Sequence, residues 1–273
     1  MNARILLLVF LLLGISQQEV YSQLGFSHEV GLITGPVAFY SDYGVRNDFE
    51  TNAGNVGVGI GLIHYINFSY RADCNCYTRD KYFNDHFKIR SEIDYHKTNL
   101  EHLGKWVDPD RTSLTADQLR AMKGSTSVFE IGTQLEYYPL SIRDFAAGAF
   151  KIAPFISLGL HWVSYDAEIS SELGALNTPI STPPKYFNAF QQEPGNTWGV
   201  VTSIGIRYKL SPLSDLMLDS RWEYYFSNWV DGLNPQLENN AQVLGEGNGI
   251  PVPENKANDW IYWLNLGYIY YLD

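Results

Sequence analysis

Six histidines and two cysteines are the residues of this chain whose types could support catalysis or metal binding. A serine or cysteine nucleophile needs a histidine and an acid beside it. Several serines are present, but there is no G-x-S-x-G segment, the turn that exposes the nucleophile in many serine hydrolases. We therefore predict no catalytic residue and no cofactor, and expect the histidines to pack inside or at the rim of the fold. The histidines are His28, His64, His86, His96, His102 and His161.

The cysteine pair, Cys74 and Cys76, is separated by one residue. A structural zinc site needs four ligands, and no second pair exists, so we predict no metal here. A disulfide across one intervening residue would be strained, so a strained or intermolecular disulfide and two free thiols remain the alternatives.

Glycines at positions 57, 59 and 61 lack the G-x-G-x-x-G spacing and the following helix of a dinucleotide-binding loop. They recur at every second residue, as on one face of a strand. We expect them to let a bulky neighbour approach the backbone closely.

Composition excludes some partners. The chain has 273 residues, a formal net charge of −11 and a sequence pI near 4.9. Nucleic-acid binding needs a basic surface, so we predict no nucleic-acid partner. Aromatic residues make up 15%, including 19 Tyr and 7 Trp, two types that favour membrane–water boundaries.

The N-terminus is typical of a secretory signal peptide. Arg4 precedes the apolar run Ile5 to Leu13, and Val20-Tyr21-Ser22 places small or modest residues at the −3 and −1 positions of a cleavage before Gln23. We predict a signal peptide at 1–22 and one domain at 23–273. Beyond the signal peptide, no apolar run approaches the roughly 20 residues of a membrane helix.

The elements that must position these side chains are strands. Phe87 to Tyr95 reads F-K-I-R-S-E-I-D-Y, in which apolar and charged residues alternate, so the two sets face opposite sides of a sheet. The same period recurs eight times, and many segments reach the roughly 9–11 residues that cross a bilayer at a tilt. The predicted strands are Phe26–Thr34, Val56–Phe68, Phe87–Leu100, Val128–Tyr137, Phe150–Tyr165, Trp198–Leu210, Leu216–Phe226 and Trp260–Leu272.

Strand length, aromatic strand ends and the signal peptide together predict an all-β fold, a closed antiparallel transmembrane barrel of about eight strands with long extracellular loops. Its apolar face would contact outer-membrane lipid. The aromatics expected at the membrane interface are Tyr137, Trp162, Trp198, Tyr208, Trp222, Tyr224, Trp260, Tyr262, Tyr268 and Tyr270.

The charged face would then line the interior, where charges must pair to offset desolvation. The signs nearly cancel, as a paired network requires. Eight strands leave an interior that side chains fill, so the charges would plug the barrel. The expected network is Glu29, Lys88, Arg90, Glu92, Asp94, Glu130, Glu136, Lys151, Arg207, Lys209, Asp219, Arg221 and Glu223.

The connections favour the same topology, because long and short ones mostly alternate, as in outer-membrane barrels. Ser211–Asp215 is a tight turn, and Ser69–His86 is the exception, long for the periplasmic side. The acidic stretch Asp231–Glu254 is expected to be solvated.

After the signal peptide, Gly25-Phe26-Ser27-His28-Glu29-Val30-Gly31 resembles the first strand of small outer-membrane β-barrel proteins of Bacteroidota, including the PorG-like barrel of the type IX secretion system. Gly35 to Asp42 loosely matches the next segment of that family. The resemblance implies an anchor at the outer membrane for a periplasmic secretion partner.

We therefore expect a small integral protein of the cell outer membrane that acts as an anchor or docking protein, and not as a general porin or an enzyme. A soluble periplasmic or secreted ligand-binding barrel is one alternative, and an outer-membrane lipid-modifying enzyme is another.

Overall fold

The computed structural model describes residues 26–45, 48–68, 82–234 and 258–272. Eight antiparallel strands follow one another in order, and β8 pairs with β1 to close a barrel. This confirms the predicted fold class. The predicted signal peptide, Cys74 and Cys76 lie outside the described residues. The strands are β1 (Ser27–Tyr40), β2 (Val56–Asn67), β3 (Phe87–Glu101), β4 (Met122–Tyr137), β5 (Ile152–Ser171), β6 (Gly195–Ser211), β7 (Ser214–Tyr225) and β8 (Trp260–Leu272).

Several strands run further than their alternating pattern indicates. β4 begins at Met122, six residues before the predicted start, and β5 continues to Ser171. The added part of β4 reads M-K-G-S-T-S, in which no apolar and charged sets alternate, so the period of two is not visible in sequence. Pairing with β5 from Met122↔Ser171 onward holds it in the sheet.

Four short helices lie in the described parts of the connections. They are α1 (Phe49–Gly54), α2 (Tyr82–His86), α3 (Leu114–Ala121) and α4 (Ile142–Ala146), and a 3₁₀ turn spans Pro184–Tyr186. Among the described residues, no helix combines the length and the apolar character needed to cross a membrane.

The barrel has two distinguishable ends. The first residue of β1, the last of β8 and the connections β2–β3, β4–β5 and β6–β7 lie at one end, which we call the turn end. The connections β1–β2, β3–β4, β5–β6 and β7–β8 join the strands at the opposite end, the loop end.

The two faces of the wall are inverted relative to a soluble protein. Leu62, Leu158 and Leu266 point outward with 58–62% of their surface exposed, whereas Arg90 and Arg207 point inward and are fully buried. Charged and apolar residues therefore occupy opposite faces of these strands, as the period of two requires.

Aromatic side chains lie in two bands on the outer surface. Tyr40 and Trp260 stack at the loop end of β1 and β8, with ring centroids 3.8 Å apart. Toward the turn end, Tyr268 and Tyr270 are exposed and Phe87 packs on Tyr137. Aliphatic side chains occupy the surface between the bands, so the exterior is an apolar belt with aromatic borders.

Beyond the loop-end band, the outer face becomes polar on β3, β4 and β5. On β3 the outward residues beyond Tyr95 are Lys97, Asn99 and Glu101. On β4 those beyond Phe129 are Ser127, Ser125 and Lys123, and β5 continues with Asp166, Glu168 and Ser170. This part of the wall therefore extends past the apolar belt.

Candidate functional site in the barrel interior

The interior nearest the turn end holds a linked group of charges from β1, β3, β6 and β7. Glu29 contacts Lys88 Nζ at 2.6 Å through one oxygen and Arg207 Nη2 at 2.5 Å through the other. Arg207 also reaches Asp215 at 3.1 Å, and Lys209 lies 3.3 Å from the same carboxylate. All five side chains are buried. Each charge contacts an opposite charge, and this attraction offsets the cost of its desolvation.

Arg90 organises the middle of the interior. Its guanidinium lies 2.8 Å from Glu92, 3.0 Å from Asp219 and 3.4 Å from Glu136. Tyr65 donates its hydroxyl to the same Glu136 oxygen at 3.1 Å. One cation therefore joins three carboxylates carried by β3, β4 and β7.

The region toward the loop end combines Arg221 with histidine and further carboxylates. Arg221 contacts Glu92 at 2.7 Å and Asp94 at 2.8 Å, and its guanidinium lies 4.9 Å from the centre of the Trp263 ring. Gln134 donates to Glu92 and accepts from Ser157 at 2.6 Å. Glu92 therefore contacts Arg221 and Gln134 in addition to Arg90.

His161 stands at the centre of the remaining acids. Its Nε2 lies 2.7 Å from Glu92, and its Nδ1 lies 3.0 Å from Glu223 and 3.6 Å from Glu130. Glu130 also accepts from the Tyr225 hydroxyl at 2.7 Å, and that hydroxyl lies 3.2 Å from His96. Carboxylates and imidazoles are the groups from which proteins build proton-transfer and metal sites.

Most of the predicted network is inside the barrel, but Lys151 is not. Lys151 is exposed, because β5 begins one residue later, at Ile152. Its position in the alternation would face the interior, but the strand does not reach it. Asp215 was predicted to lie in a turn. It is buried in β7 instead, because the pairing of β6 with β7 continues to Ser211 and Ser214.

These two changes alter the charge balance of the interior. Among the described residues of the interior, five cations and eight acids give a formal sum of −3 with histidines neutral. The cations are Lys88, Arg90, Arg207, Lys209 and Arg221. The net charge of the interior is therefore more negative than the near-cancellation predicted from the sequence. The acids are Glu29, Glu92, Asp94, Glu130, Glu136, Asp215, Asp219 and Glu223.

Glycines make room for the large interior side chains. A Cβ on Gly59 would lie 2.4 Å from the Trp263 ring, and a Cβ on Gly132 would lie 2.1 Å from His161 Cδ2. The expected close approach to the β2 glycines is thus found at Gly59. Any larger residue at these positions would displace the ring that the interior needs.

The turn end is closed by the β4–β5 connection. Ser141 caps α4 by accepting from the Asp144 amide at 3.2 Å, which turns Ile142 and Phe145 into the barrel. Lys209 Nζ lies 5.2 Å from the Phe145 ring centre, and Tyr138 donates to Glu136 at 2.6 Å. An apolar layer thus separates the charges from the turn-end surface.

The loop end is closed by a cap made of residues 41–45, 184–191 and 228–234. Asp231 accepts from the Asp42 amide at 2.7 Å and from the Leu233 amide at 2.8 Å. Thr126 on β4 donates to the Val230 carbonyl at 2.6 Å. Asp231 is fully buried, so the start of the acidic stretch is structural and not solvated as predicted.

His102 joins this cap to the rim beyond β3. Its Nδ1 accepts from the Gly44 amide at 2.8 Å, and its Nε2 lies 3.4 Å from Met122 Sδ. The Tyr43 and Tyr186 rings pack on it at 4.9 and 5.4 Å. Burial, with the charges of Lys185 and Lys123, lowers the pKa of His102 to about 3, so the imidazole is neutral.

The other histidines fall into two groups. His96 and His161 lie in the interior, one of the two locations predicted for the histidines. His28 and His64 stack on each other near the turn end at 5.2 Å, and His86 in α2 lies 2.6 Å from the Tyr138 carbonyl. The interior pair could have been assigned from strand phase, but not their shared contacts with Glu130.

The predicted interface aromatics all lie on the outer surface. Tyr137, Tyr208, Tyr268 and Tyr270 belong to the turn-end band. The loop-end members are Trp162, Trp198, Trp222, Tyr224, Trp260 and Tyr262, of which Trp222 and Tyr262 pack together at 5.4 Å.

No protein-family model matches this chain, and no curated protein matches it. Solved structures with a similar fold include Ail of Yersinia pestis in complex with the heparin analogue sucrose octasulfate, at 12% identity and TM-score 0.41, covering 91% of this chain and 100% of that one. A major outer membrane protein of Thermus thermophilus is 12% identical with TM-score 0.45 (90% and 99% covered), and OprG of Pseudomonas aeruginosa is 13% identical with TM-score 0.39 (89% and 96%). Similarity at this level carries no functional argument, and the barrel topology stands on the strand pairing of the chain itself.

Proposed function

We propose that this protein is a small integral barrel of the outer membrane whose filled interior makes it an anchor or docking protein. The observation that carries the proposal is the inversion of its two faces, with an aliphatic belt outside and paired charges inside. From Trp260 to Tyr270 is ten residues, which at about 3.3 Å per residue and a tilt of about 40° spans about 25 Å, the height of an outer-membrane barrel's apolar band.

The interior favours anchoring over transport. Arginine, lysine and aromatic side chains fill three successive charged regions, and ordered segments cover both ends. An eight-stranded barrel has just enough room for its own side chains. A docking partner would then bind at one of the two end surfaces of the barrel.

At the turn end, α2 and α4 form a joined surface. Arg143 contacts Asp85 at 2.9 Å, and the exposed Tyr82 shares a hydrogen bond of 2.7 Å with Tyr137. With the turn end in the periplasm, this surface supports docking of a periplasmic partner. The resemblance to PorG-like barrels favours a secretion-machinery partner of the type IX class.

The soluble ligand-binding alternative does not fit the arrangement of side chains. It requires Lys88 and Arg90 to face water and Ile93 and Tyr95 to line an apolar interior. The charged pair is buried, and Ile93 and Tyr95 are 48% and 44% exposed on the outside.

The lipid-modifying alternative requires a serine–histidine pair at the loop-end rim. Of the histidines in the described residues, His102 is the one at that rim, and both of its nitrogens are engaged, by the Gly44 amide and by Met122. This arrangement gives no support to a rim nucleophile.

Fractionation and conductance test the membrane part of the proposal. The folded protein should remain with outer membranes after alkaline carbonate washing and should migrate differently on gels with and without heating. Purified barrel in planar bilayers should give no steady unit conductance. Recovery of the protein in the soluble fraction, or a regular open channel, would refute it.

A crosslinking pull-down from native membranes tests the docking part. Tyr82→Ala at the turn end should lose the periplasmic partner, whereas Trp106→Ala, an exposed aromatic at the loop end, should keep it. Equal capture by both variants would contradict docking at the turn end.

A further inference from the structure

Two interior acids are not paired like the others. Six of the eight interior carboxylates contact at least one arginine or lysine. Glu130 and Glu223 form their ion-pair contacts with histidine alone: Glu130 with His96 and His161, and Glu223 with His161. Two buried acids of the barrel interior therefore have no arginine or lysine partner among the described residues.

Three of the four carboxylate oxygens of these two acids also lack hydrogen bonds. Both Glu223 oxygens and Glu130 Oε2 are buried and have no hydrogen-bond partner within the described part of the chain. Glu130 Oε1 is held by the Tyr225 hydroxyl, which leaves Oε2 directed at His161. Buried polar atoms without partners are costly, and a native site that contains several calls for an explanation such as an ion.

The orientation of His161 points to the nature of that ion. Its Nε2 faces Glu92 at 2.7 Å, while Nδ1 faces Glu223 and Glu130. A histidine that binds a metal through one nitrogen commonly places the other against a carboxylate, which fixes the ring. Glu92 is itself held by Arg90 and Arg221, so this support is rigid.

The distances from His161 Nδ1 to the two carboxylates are those expected between ligands of one small ion. Ligands about 2.0 Å from a zinc ion stand about 3.3 Å apart. His161 Nδ1 lies 3.0 Å from Glu223 Oε1 and 3.6 Å from Glu130 Oε2, on either side of that separation. One ligand atom from each of the three residues lies within 4.8 Å of the other two, close enough for one small ion to contact all three.

We propose that the barrel binds one divalent transition-metal ion, of the zinc class, through Glu130, His161 and Glu223. The three ligands come from β4, β5 and β7, so the ion ties β7 to two strands with which it does not pair directly. A charge of +2 also changes the interior sum from −3 to −1. The site is independent of docking at the turn end.

Metal analysis of the full-length protein, purified from outer membranes without chelator, tests the proposal. The wild type should carry about one divalent ion per barrel, and Zn²⁺ added after chelation should restore that content and raise the unfolding temperature. Glu130→Gln and Glu223→Gln should reduce bound Zn²⁺ at least tenfold. Glu136→Gln, the same change in a carboxylate paired to Arg90, should retain it.

If a ligand variant fails to fold, X-ray absorption at the zinc edge of the wild type decides the question. The proposal expects a shell of nitrogen and oxygen with a single imidazole. No stoichiometric metal together with no stabilisation by Zn²⁺ would overturn it. A bound ion without an imidazole ligand, or equal loss in Glu136→Gln, would also overturn it.

Discussion

Replacing Arg90 with methionine should destabilise the barrel strongly. The guanidinium contacts Glu92, Glu136 and Asp219 within 3.4 Å, and all of these groups are buried. Methionine fills a similar volume but leaves the three acids without this cation. The interior sum then falls from −3 to −4.

The magnitude follows from the number of partners. Removing one member of a buried ion pair costs about 3–5 kcal/mol because the other charge stays desolvated. Three carboxylates share Arg90, but Glu92 keeps Arg221, so we expect the upper part of that range. Since about 1.4 kcal/mol is tenfold, the unfolded fraction should rise roughly 10³- to 4 × 10³-fold.

Urea unfolding of the refolded barrel, followed by the gel shift between heated and unheated samples, measures the change. Arg111→Met, on the exposed β3–β4 connection, is the matched control and should cost less than about 1 kcal/mol. Adding Glu136→Gln and Asp219→Asn to Arg90→Met should recover much of the loss. A single variant within about 1 kcal/mol of wild type, or no recovery in the combined variant, would refute the network as described.

The outer belt, the cap and the interior packing each give a further test. Leu266→Arg, in the middle of the outer belt, should lower stability in lipid by about 2–4 kcal/mol, whereas Asn99→Arg on the polar extension should change it little; equal effects in vesicle-refolding titrations would contradict the position of the belt. His102 has a pKa of about 3 in the fold, below its unfolded value of about 6.5, so the cap should lose up to about 1.4 kcal/mol per pH unit as pH falls below about 6.5, until about pH 3. His102→Gln should flatten that slope in hydrogen exchange of the cap amides, corrected for intrinsic rates, and an unchanged slope would exclude His102 as its cause. Gly59→Ala should cost about 1–3 kcal/mol in thermal unfolding by forcing the Trp263 ring to move, and a neutral result would show that the ring has room.

The sequence was sufficient for the barrel because strand phase is a local property. In F-K-I-R-S-E-I-D-Y each residue's face depends only on its parity, and the same holds for Glu130 and Arg221 on their strands. Strand ends were less predictable. Lys151 and Asp215 were misplaced because the end of a strand depends on pairing with its neighbour, and a local pattern does not contain that information.

Contacts across the interior could not be predicted from parity. Arg90 meets Asp219, 129 positions away, because barrel stagger sets which inward residues share a height. The grouping of Glu130, His161 and Glu223 depends on the same stagger. The cap was missed for a related reason: Asp231 and Val230 lie in a connection rich in turn residues, and their burial comes from Thr126 and Asp42 in distant parts of the chain.

The ion pairs across the interior join strands that are far apart in the chain, which affects how the barrel folds. Glu29 on β1 pairs with Arg207 on β6 across 178 positions, and Arg221 on β7 pairs with Asp94 across 127. These contacts form only when distant parts of the chain come together, so loop-closure entropy is lost before they contribute. Partly assembled barrels would expose unpaired charges and strand edges at once. Folding should therefore be slow and concerted, and fragments that lack either terminal strand should not hold the interior together.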